Sequence, residues 1–175
     1  MKIYVVNGYP GSGKTTFEQM ACKKLGGRRG FIYSTIFPIK ELAQKIGWDG
    51  RKDAAGRRLL SDLKQAMNRY CNYTMEELKD KINTIEMTSK IFSIQDPVVF
   101  IDSREPDEIA LIKKLYNATT VIVVRGEEPE EISNDSDLHV NKYDYDLMIN
   151  NTGTLEELEE VTDMFLSMEG LIEEE

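Results

Sequence analysis

The sequence predicts an α/β fold in three layers, with a five-stranded parallel sheet between two layers of helices. Short apolar segments alternate with longer segments whose apolar residues recur at helical spacing. The short segments are apolar throughout, as in strands buried on both faces. The chain has 175 residues, 41% of them hydrophobic, which suffices for one domain with its own core. We therefore expect a single domain over residues 1–175.

Each element follows from local signals. The predicted strands cover residues 2–7, 30–34, 97–101, 119–124 and 144–149. The predicted helices cover residues 13–25, 36–46, 53–70, 74 to about 93, 106–116 and 154–168. Pro38 suits a first helical turn, and a Glu three residues after Thr74 and after Thr154 predicts a capping box at each. The acidic segment 126–143 is expected to form an exposed flap.

Charge and composition exclude several classes of protein. The net charge of −9 argues against a general nucleic-acid binder. Residues 1–125 hold 21 basic and 14 acidic side chains, whereas residues 126–175 hold one and 17, so we expect a solvated acidic C-terminal part. Without an apolar run of about 20 residues or a secretory signal, we expect a cytoplasmic protein with no membrane partner. Cys22 and Cys71 are expected to be buried free thiols.

Residues 8–15 match the phosphate-binding pattern G-x-x-x-x-G-K-[ST] at every fixed position. The glycines allow a tight turn whose backbone N–H groups face phosphate oxygens. Lys14 supplies a positive charge for the β- and γ-phosphates, and the Thr15 hydroxyl can ligate Mg²⁺. The residues predicted to bind ATP here are Gly8, Gly11, Ser12, Gly13, Lys14, Thr15 and Thr16.

Several polar side chains stand at the ends of predicted strands, where a parallel sheet binds ligands. These candidates to share one crevice are Asn7, Ser34, Asp102, Arg125 and Asn150. Asp102 is the best candidate to hold an Mg²⁺-bound water or to orient an acceptor. Arg104, two residues further, suits a second phosphate group, carried by that acceptor.

Further cations lie between residues 51 and 69. Arg58 and Arg69 share one face of the predicted helix and Arg57 lies beside it, although a solvated basic surface explains any one of them equally well. Phosphoryl transfer requires charge neutralisation of donor, acceptor and transferring group. Lys14, Arg104 and Arg125, with one or two cations from residues 52–69, would provide it. Trp48 either stacks on a base or anchors this segment.

Two other kinds of phosphate-loop protein fit the chain less well. Residues 141–144 read Asn-Lys-Tyr-Asp, the guanine-binding pattern of GTPases, but they precede a predicted strand instead of following one. Position 105 is Glu where a GTPase has Gly after its strand-end acid. An ATPase of the motor type usually has two adjacent acids at that place, whereas Asp102 is followed by Ser103.

Four segments, residues 8–15, 48–60, 102–108 and 145–158, resemble the bacteriophage-type deoxynucleoside monophosphate kinases. These enzymes share a similar layout with animal-type phosphomevalonate kinases. The resemblance covers nearly the whole chain and is weak between residues 70 and 95. It implies a P-loop kinase-like fold with a helical acceptor-binding insertion over about residues 36–94 and a lid or flap over about residues 126–143.

The resemblance also implies an activity: transfer of the ATP γ-phosphoryl to a (deoxy)nucleoside 5′-monophosphate, with Mg²⁺. It implies that Lys52, Arg57 and Arg69 lie in the acceptor-binding arm and that Arg104 contacts the acceptor phosphate. It further implies that Arg125 begins the lid and that the turn from Asn151 to Gly153 sits against the ATP base. Trp48 and Arg58 complete the predicted substrate-binding set.

Two other functions stay open. One is a phosphate-loop sensor that binds nucleotide without transferring phosphate, which the flap favours because it holds one Lys and no Arg. The other is a kinase of a small non-nucleotide phosphate. Arg104 and the cations of residues 52–69 favour a kinase. We expect small-molecule nucleotides as partners and either a monomer or a homodimer.

Overall fold

The computed structural model describes residues 1–126 and 140–173. The strands are β1 (Lys2–Asn7), β2 (Gly30–Ser34), β3 (Val98–Asp102), β4 (Thr119–Val124) and β5 (Leu147–Asn150). The helices are α1 (Lys14–Lys24), α2 (Phe37–Lys45), α3 (Ala54–Cys71), α4 (Tyr73–Ile91), α5 (Pro106–Tyr116) and α6 (Leu155–Met168). One 3-10 turn covers Val140–Lys142.

The strands form one parallel sheet in the order β2-β3-β1-β4-β5. In the centre of the sheet, Tyr4 of β1 lies opposite Phe100 of β3 and Thr119 of β4. The carboxyl ends of β1 and β3 therefore lie side by side, with Val6 opposite Asp102. The predicted three-layer architecture with five parallel strands is confirmed.

Alternation of side chains along the strands divides the core between the two faces of the sheet. Tyr4 and Val6 of β1 pack with α1 and α6, where Phe17 and Phe165 contribute aromatic rings. The ring centroids of Tyr4 and Phe165 are 5.1 Å apart in an edge-to-face arrangement. Val5, on the other side of β1, is fully buried, and α5 contacts β1 and β4. Both faces of the central strands are thus covered, as their unbroken apolar sequence predicted.

The chain divides into two compact units. The first comprises Met1–Ile32 and Ser93–Glu175, and the second comprises Tyr33–Phe92. The second unit is helical after β2 and has its own small core of Ile39, Ala43 and Leu60. Burial of these side chains supplies a hydrophobic driving force for packing α2 on α3.

Two local expectations are wrong. Thr74 does not cap α4: it lies inside the helix, fully buried, and its backbone N–H donates to Asn68 Oδ1 at 3.0 Å. The helix begins at Tyr73, and its N-cap residue is Asn72, which adopts a left-handed conformation with φ 51°. Cys71, the last residue of α3, is exposed, and Cys22 is half-buried, so neither thiol is fully buried.

The predicted capping box at Thr154 is confirmed. Thr154 Oγ1 accepts from the Glu157 backbone N–H at 3.3 Å, and Glu157 Oε2 accepts from the Thr154 N–H at 2.7 Å. No helix in the described part of the chain is long and apolar enough to cross a bilayer.

Candidate active site

The phosphate loop connects the buried strand β1 to helix α1. Gly13 occupies the N-cap position of α1 with φ 89°, a left-handed conformation that favours glycine. Its carbonyl accepts the first helical hydrogen bond, from the Phe17 N–H at 2.9 Å. The free N–H groups of the first turn and the positive end of the helix dipole therefore face the loop, an arrangement that favours anions.

Lys14 forms an ion pair with Asp102 at the carboxyl ends of β1 and β3. The distance from Lys14 Nζ to Asp102 Oδ1 is 2.8 Å. Lys14 is buried and Asp102 is half-buried, so solvent screens this pair less than an exposed one. The structure thus brings the lysine of the phosphate loop into contact with Asp102, one of the strand-end candidates.

Ser103 anchors the segment that joins Asp102 to Arg104. Ser103 is buried, and its Oγ donates to Glu108 Oε2 at 2.5 Å. This contact attaches the segment that follows β3 to helix α5. Arg104 is half-buried. The sequence pattern alone did not predict this buried contact between Ser103 and Glu108.

Asn151 braces the phosphate loop from the segment after β5. Asn151 is buried, and its Nδ2 donates to the Ser12 carbonyl at 2.8 Å. A Cβ at Gly13 would lie 2.1 Å from Asn151 Nδ2, so the loop approaches this amide as closely as glycine allows. Contact of the ATP base with the turn from Asn151 to Gly153 stays a prediction.

Glu18 is a buried acid that the sequence analysis missed. It lies one helical turn after Lys14 on the buried face of α1 and is 1% exposed. Burial raises the pKa of Glu18 to about 8; Lys14 lowers that pKa and Asp102 raises it. Its Oε1 has no hydrogen-bond partner among the described residues. The sequence did contain a signal for this buried acid: Glu18 lies four residues after Lys14, on the helix face that also carries the apolar Phe17 and Ala21.

Asn7 and Tyr145 connect the phosphate loop to the approach to β5. Asn7, predicted as a strand-end candidate, is fully buried, and its Nδ2 donates to Tyr145 Oη at 2.7 Å. Tyr145 has no motif that would have identified it. Burial raises the pKa of the Tyr145 hydroxyl to about 12, although the hydrogen bond from Asn7 lowers it.

A cavity of about 710 Å³ lies beside the phosphate loop. Tyr9 and Ser12 line it from the loop, Tyr145 and Met148 from the approach to β5 and from β5 itself. Arg125, which follows β4, is exposed and lies in its wall. The structure therefore brings Arg125 to the same region as the loop. The flap expected at residues 126–143 lies mostly outside the described residues.

The remaining predicted cations belong to the second unit. Arg58 Nε lies 3.8 Å from Asp62 Oδ2, one turn along α3. Trp48 packs against the core of that unit, and its Nε1 donates to the Arg51 carbonyl at 3.1 Å. Lys52, Arg57, Arg58 and Arg69 are all exposed. Their contact with an acceptor stays a prediction.

The residues of the phosphate loop are suited to bind a nucleoside triphosphate with Mg²⁺. Ser12 Oγ is buried without a hydrogen-bond partner in the described part of the chain, and the Gly8 position leaves no room for a Cβ, which would lie 2.5 Å from the Val123 carbonyl. Thr15 is exposed, so its hydroxyl is accessible to a cation. Among residues 1–126 and 140–173, no cluster of three acids, His or Cys is suited to a metal ion.

Solved structures provide the comparison for this fold. The chain is similar to dephospho-CoA kinase from Campylobacter jejuni, with 14% identity over 98% of this chain and 100% of that chain and a TM-score of 0.50. It is also similar to shikimate kinase from Aquifex aeolicus (17% identity, 97% of each chain, TM-score 0.45). A third similar structure is thymidylate kinase from Ehrlichia chaffeensis (14% identity, 95% of this chain and 98% of that chain, TM-score 0.45).

No family model and no curated protein matches the sequence. At these identities the structural likeness concerns the fold alone, and membership of the bacteriophage-type kinases stays a prediction. The predicted P-loop kinase-like architecture is confirmed. The chain shares a three-layer α/β/α fold with the dephospho-CoA kinase.

Proposed function

We propose that the protein transfers the γ-phosphoryl group of ATP to a (deoxy)nucleoside 5′-monophosphate in the presence of Mg²⁺. The observation that carries this proposal is the contact between Lys14 and Asp102 at 2.8 Å, with Arg104 two residues further along the chain. A phosphate loop alone supports nucleotide binding. A cation two residues after the strand-end acid adds a place for a second phosphate-bearing substrate.

The donor side rests on the loop and the start of α1. The backbone N–H groups of the loop and Lys14 would bind the β- and γ-phosphates. Thr15 and Asp102 would hold Mg²⁺, which neutralises charge on the β- and γ-oxygens when bound. The contact between Lys14 and Asp102 is consistent with both roles, because Lys14 would bind the phosphates and Asp102 would hold the Mg²⁺ ion beside them.

The acceptor side rests on Arg104 and, in the second unit, on exposed cations. Arg104 would bind the phosphate of the monophosphate. We propose that Lys52, Arg57, Arg58 and Arg69 attract and bind the same substrate, with Trp48 as an anchor of that segment. The partners on this proposal are small-molecule nucleotides.

The reaction needs positioning and charge neutralisation more than acid–base chemistry. An oxygen of the acceptor phosphate forms a bond to the γ-phosphorus as the bond from that phosphorus to the β–γ bridging oxygen breaks. The products are ADP and a nucleoside diphosphate. Lys14, Arg104 and Arg125 would neutralise the charge on the transferring group, and water must be kept from competing with the acceptor.

The test is an ADP-release assay with ATP, Mg²⁺ and a panel of nucleoside and deoxynucleoside monophosphates. Lys14→Ala should lower acceptor-dependent turnover at least about 100-fold, because it removes a cation from the transferring phosphoryl. Lys23→Ala is the matched control: Lys23 is an exposed Lys of the same helix, and its loss should leave turnover unchanged.

Other results would favour other functions. Release of ADP at the same rate without any acceptor would indicate an ATPase. Binding of ATP without release of ADP would indicate the nucleotide sensor, which the Arg-free flap favours. Turnover restricted to non-nucleotide phosphates would indicate a small-molecule kinase of another kind.

A further inference from the structure

A chain of hydrogen bonds starts at the first residue of the phosphate loop and ends at Val140. The Gly8 backbone N–H donates to Asn7 Oδ1 at 2.8 Å. Asn7 Nδ2 donates to Tyr145 Oη at 2.7 Å, and Tyr145 Oη donates to the Val140 carbonyl at 2.9 Å. The chain therefore crosses from β1 to the segment that leads into β5.

The direction of this chain is fixed by chemistry. The Gly8 N–H can only donate, so the amide oxygen of Asn7 must face it, and the amide nitrogen must then face Tyr145. The Val140 carbonyl can only accept, so the tyrosine must supply a proton. The raised pKa of Tyr145 keeps its hydroxyl protonated at neutral pH.

The second N–H of the Asn7 side-chain amide makes a contact with the Arg104 backbone. Asn7 Nδ2 also donates to the Arg104 carbonyl, at 3.4 Å. Asn7 and Val140 are both fully buried, so water does not replace a partner that is lost. One buried amide thus links the phosphate loop, the Arg104 turn and the tyrosine.

We propose that Tyr145 is a positioning residue for the phosphoryl transfer, because its hydroxyl holds Val140 and Asn7 in one hydrogen-bonded chain. Through Asn7, it fixes the start of the phosphate loop relative to the Arg104 backbone. Donor and acceptor phosphates have to meet within a narrow distance, and small displacements of their binding groups reduce the rate of transfer. This inference rests on the proposed function.

The test compares Tyr145→Phe with Tyr116→Phe. The first variant keeps the ring and removes the hydroxyl that links Asn7 to Val140. The second removes a hydroxyl from a half-buried tyrosine at the end of α5, which precedes the amino end of β4. We expect kcat of Tyr145→Phe to fall about tenfold while the KM for ATP changes less than about threefold, and Tyr116→Phe to retain the wild-type kcat.

Hydrogen exchange provides a second measurement that needs no turnover. In Tyr145→Phe, the amides of residues 8–13 should exchange faster, in addition to those of residues 140–146. A wild-type kcat in Tyr145→Phe would overturn the inference, and so would faster exchange confined to residues 140–146. If wild-type protein shows no acceptor-dependent turnover, the proposed function has failed, and the exchange result alone decides whether Tyr145 positions the loop.

Discussion

Glu18 shows how one side chain can set the electrostatics behind a phosphate loop. It lies on the face of α1 that packs into the core, where an ionised carboxylate loses most of its hydration. Burial raises its pKa, and the neighbouring Lys14 only partly compensates. At neutral pH, Glu18 is therefore largely protonated, and Asp102 is the negative partner of Lys14.

The pH dependence of stability should reveal this buried acid. In the unfolded chain Glu18 has the ordinary pKa of 4.5, whereas in the folded protein its pKa is about 8. As the pH rises from about 5 to about 8, the unfolded chain releases the proton and the folded protein keeps it, so the free energy of unfolding falls. Glu18→Gln should remove this contribution. Urea unfolding at pH 5 and pH 8 measures it, and an equal pH dependence in both proteins would contradict the assignment.

At the scale of elements, the phosphate loop depends on the segment that follows β5. The sequence predicted the loop fully, because its glycines and Lys14 follow a motif with a known conformation. It did not predict Asn151 as a brace, because that contact joins residues 139 positions apart in the chain. For the same reason the predicted start of β5, residue 144, differs from the observed start, Leu147. The Asp146 side chain accepts a hydrogen bond from the Thr120 N–H at 2.9 Å, a contact that the sequence does not predict.

Gly13→Ala should disable the loop, and Gly26→Ala provides a matched control. Both glycines have a left-handed conformation, with φ 89° and 82°, so each substitution costs about 1–2 kcal/mol in backbone strain. Only at Gly13 does the new Cβ meet a neighbour, Asn151 Nδ2 at 2.1 Å; at Gly26 nothing lies within 4 Å.

We expect Gly13→Ala to lose ATP binding in calorimetry and Gly26→Ala to keep it. Gly13→Ala should also lose more thermal stability than Gly26→Ala, because its new Cβ must displace the buried Asn151 side chain. Equal ATP affinities in the two variants would show that the approach of Asn151 does not shape the loop.

For the whole molecule, the uneven distribution of charge matters more than the net charge of −9. The first 125 residues carry the basic excess, and they include both the phosphate loop and the second compact unit. The fold class and most helices were predictable because periodicity and caps are local signals. The acceptor-binding roles that the resemblance implies for Lys52 and Arg69 stay predictions, since exposed cations on a helical unit look alike whether or not they bind a substrate.

Lys52→Ala should weaken acceptor binding without affecting ATP. If Lys52 contacts the monophosphate, its loss should raise the KM for the acceptor about tenfold, the usual effect of losing one hydrogen bond to a charged group. Lys81→Ala removes the same charge from an exposed position on α4 in the same unit. Steady-state kinetics with each substrate varied in turn make the comparison, and equal acceptor KM values in both variants would remove Lys52 from the binding site.

The pairing of Lys14 with Asp102 has a consequence for the order of events at the site. A triphosphate that draws the Lys14 ammonium group toward itself breaks this ion pair, and a divalent ion bound at Asp102 would offset that loss. Nucleotide and cation would then bind cooperatively, each raising the affinity of the site for the other by the same factor. The site would therefore bind a nucleotide more tightly with a divalent cation than without one.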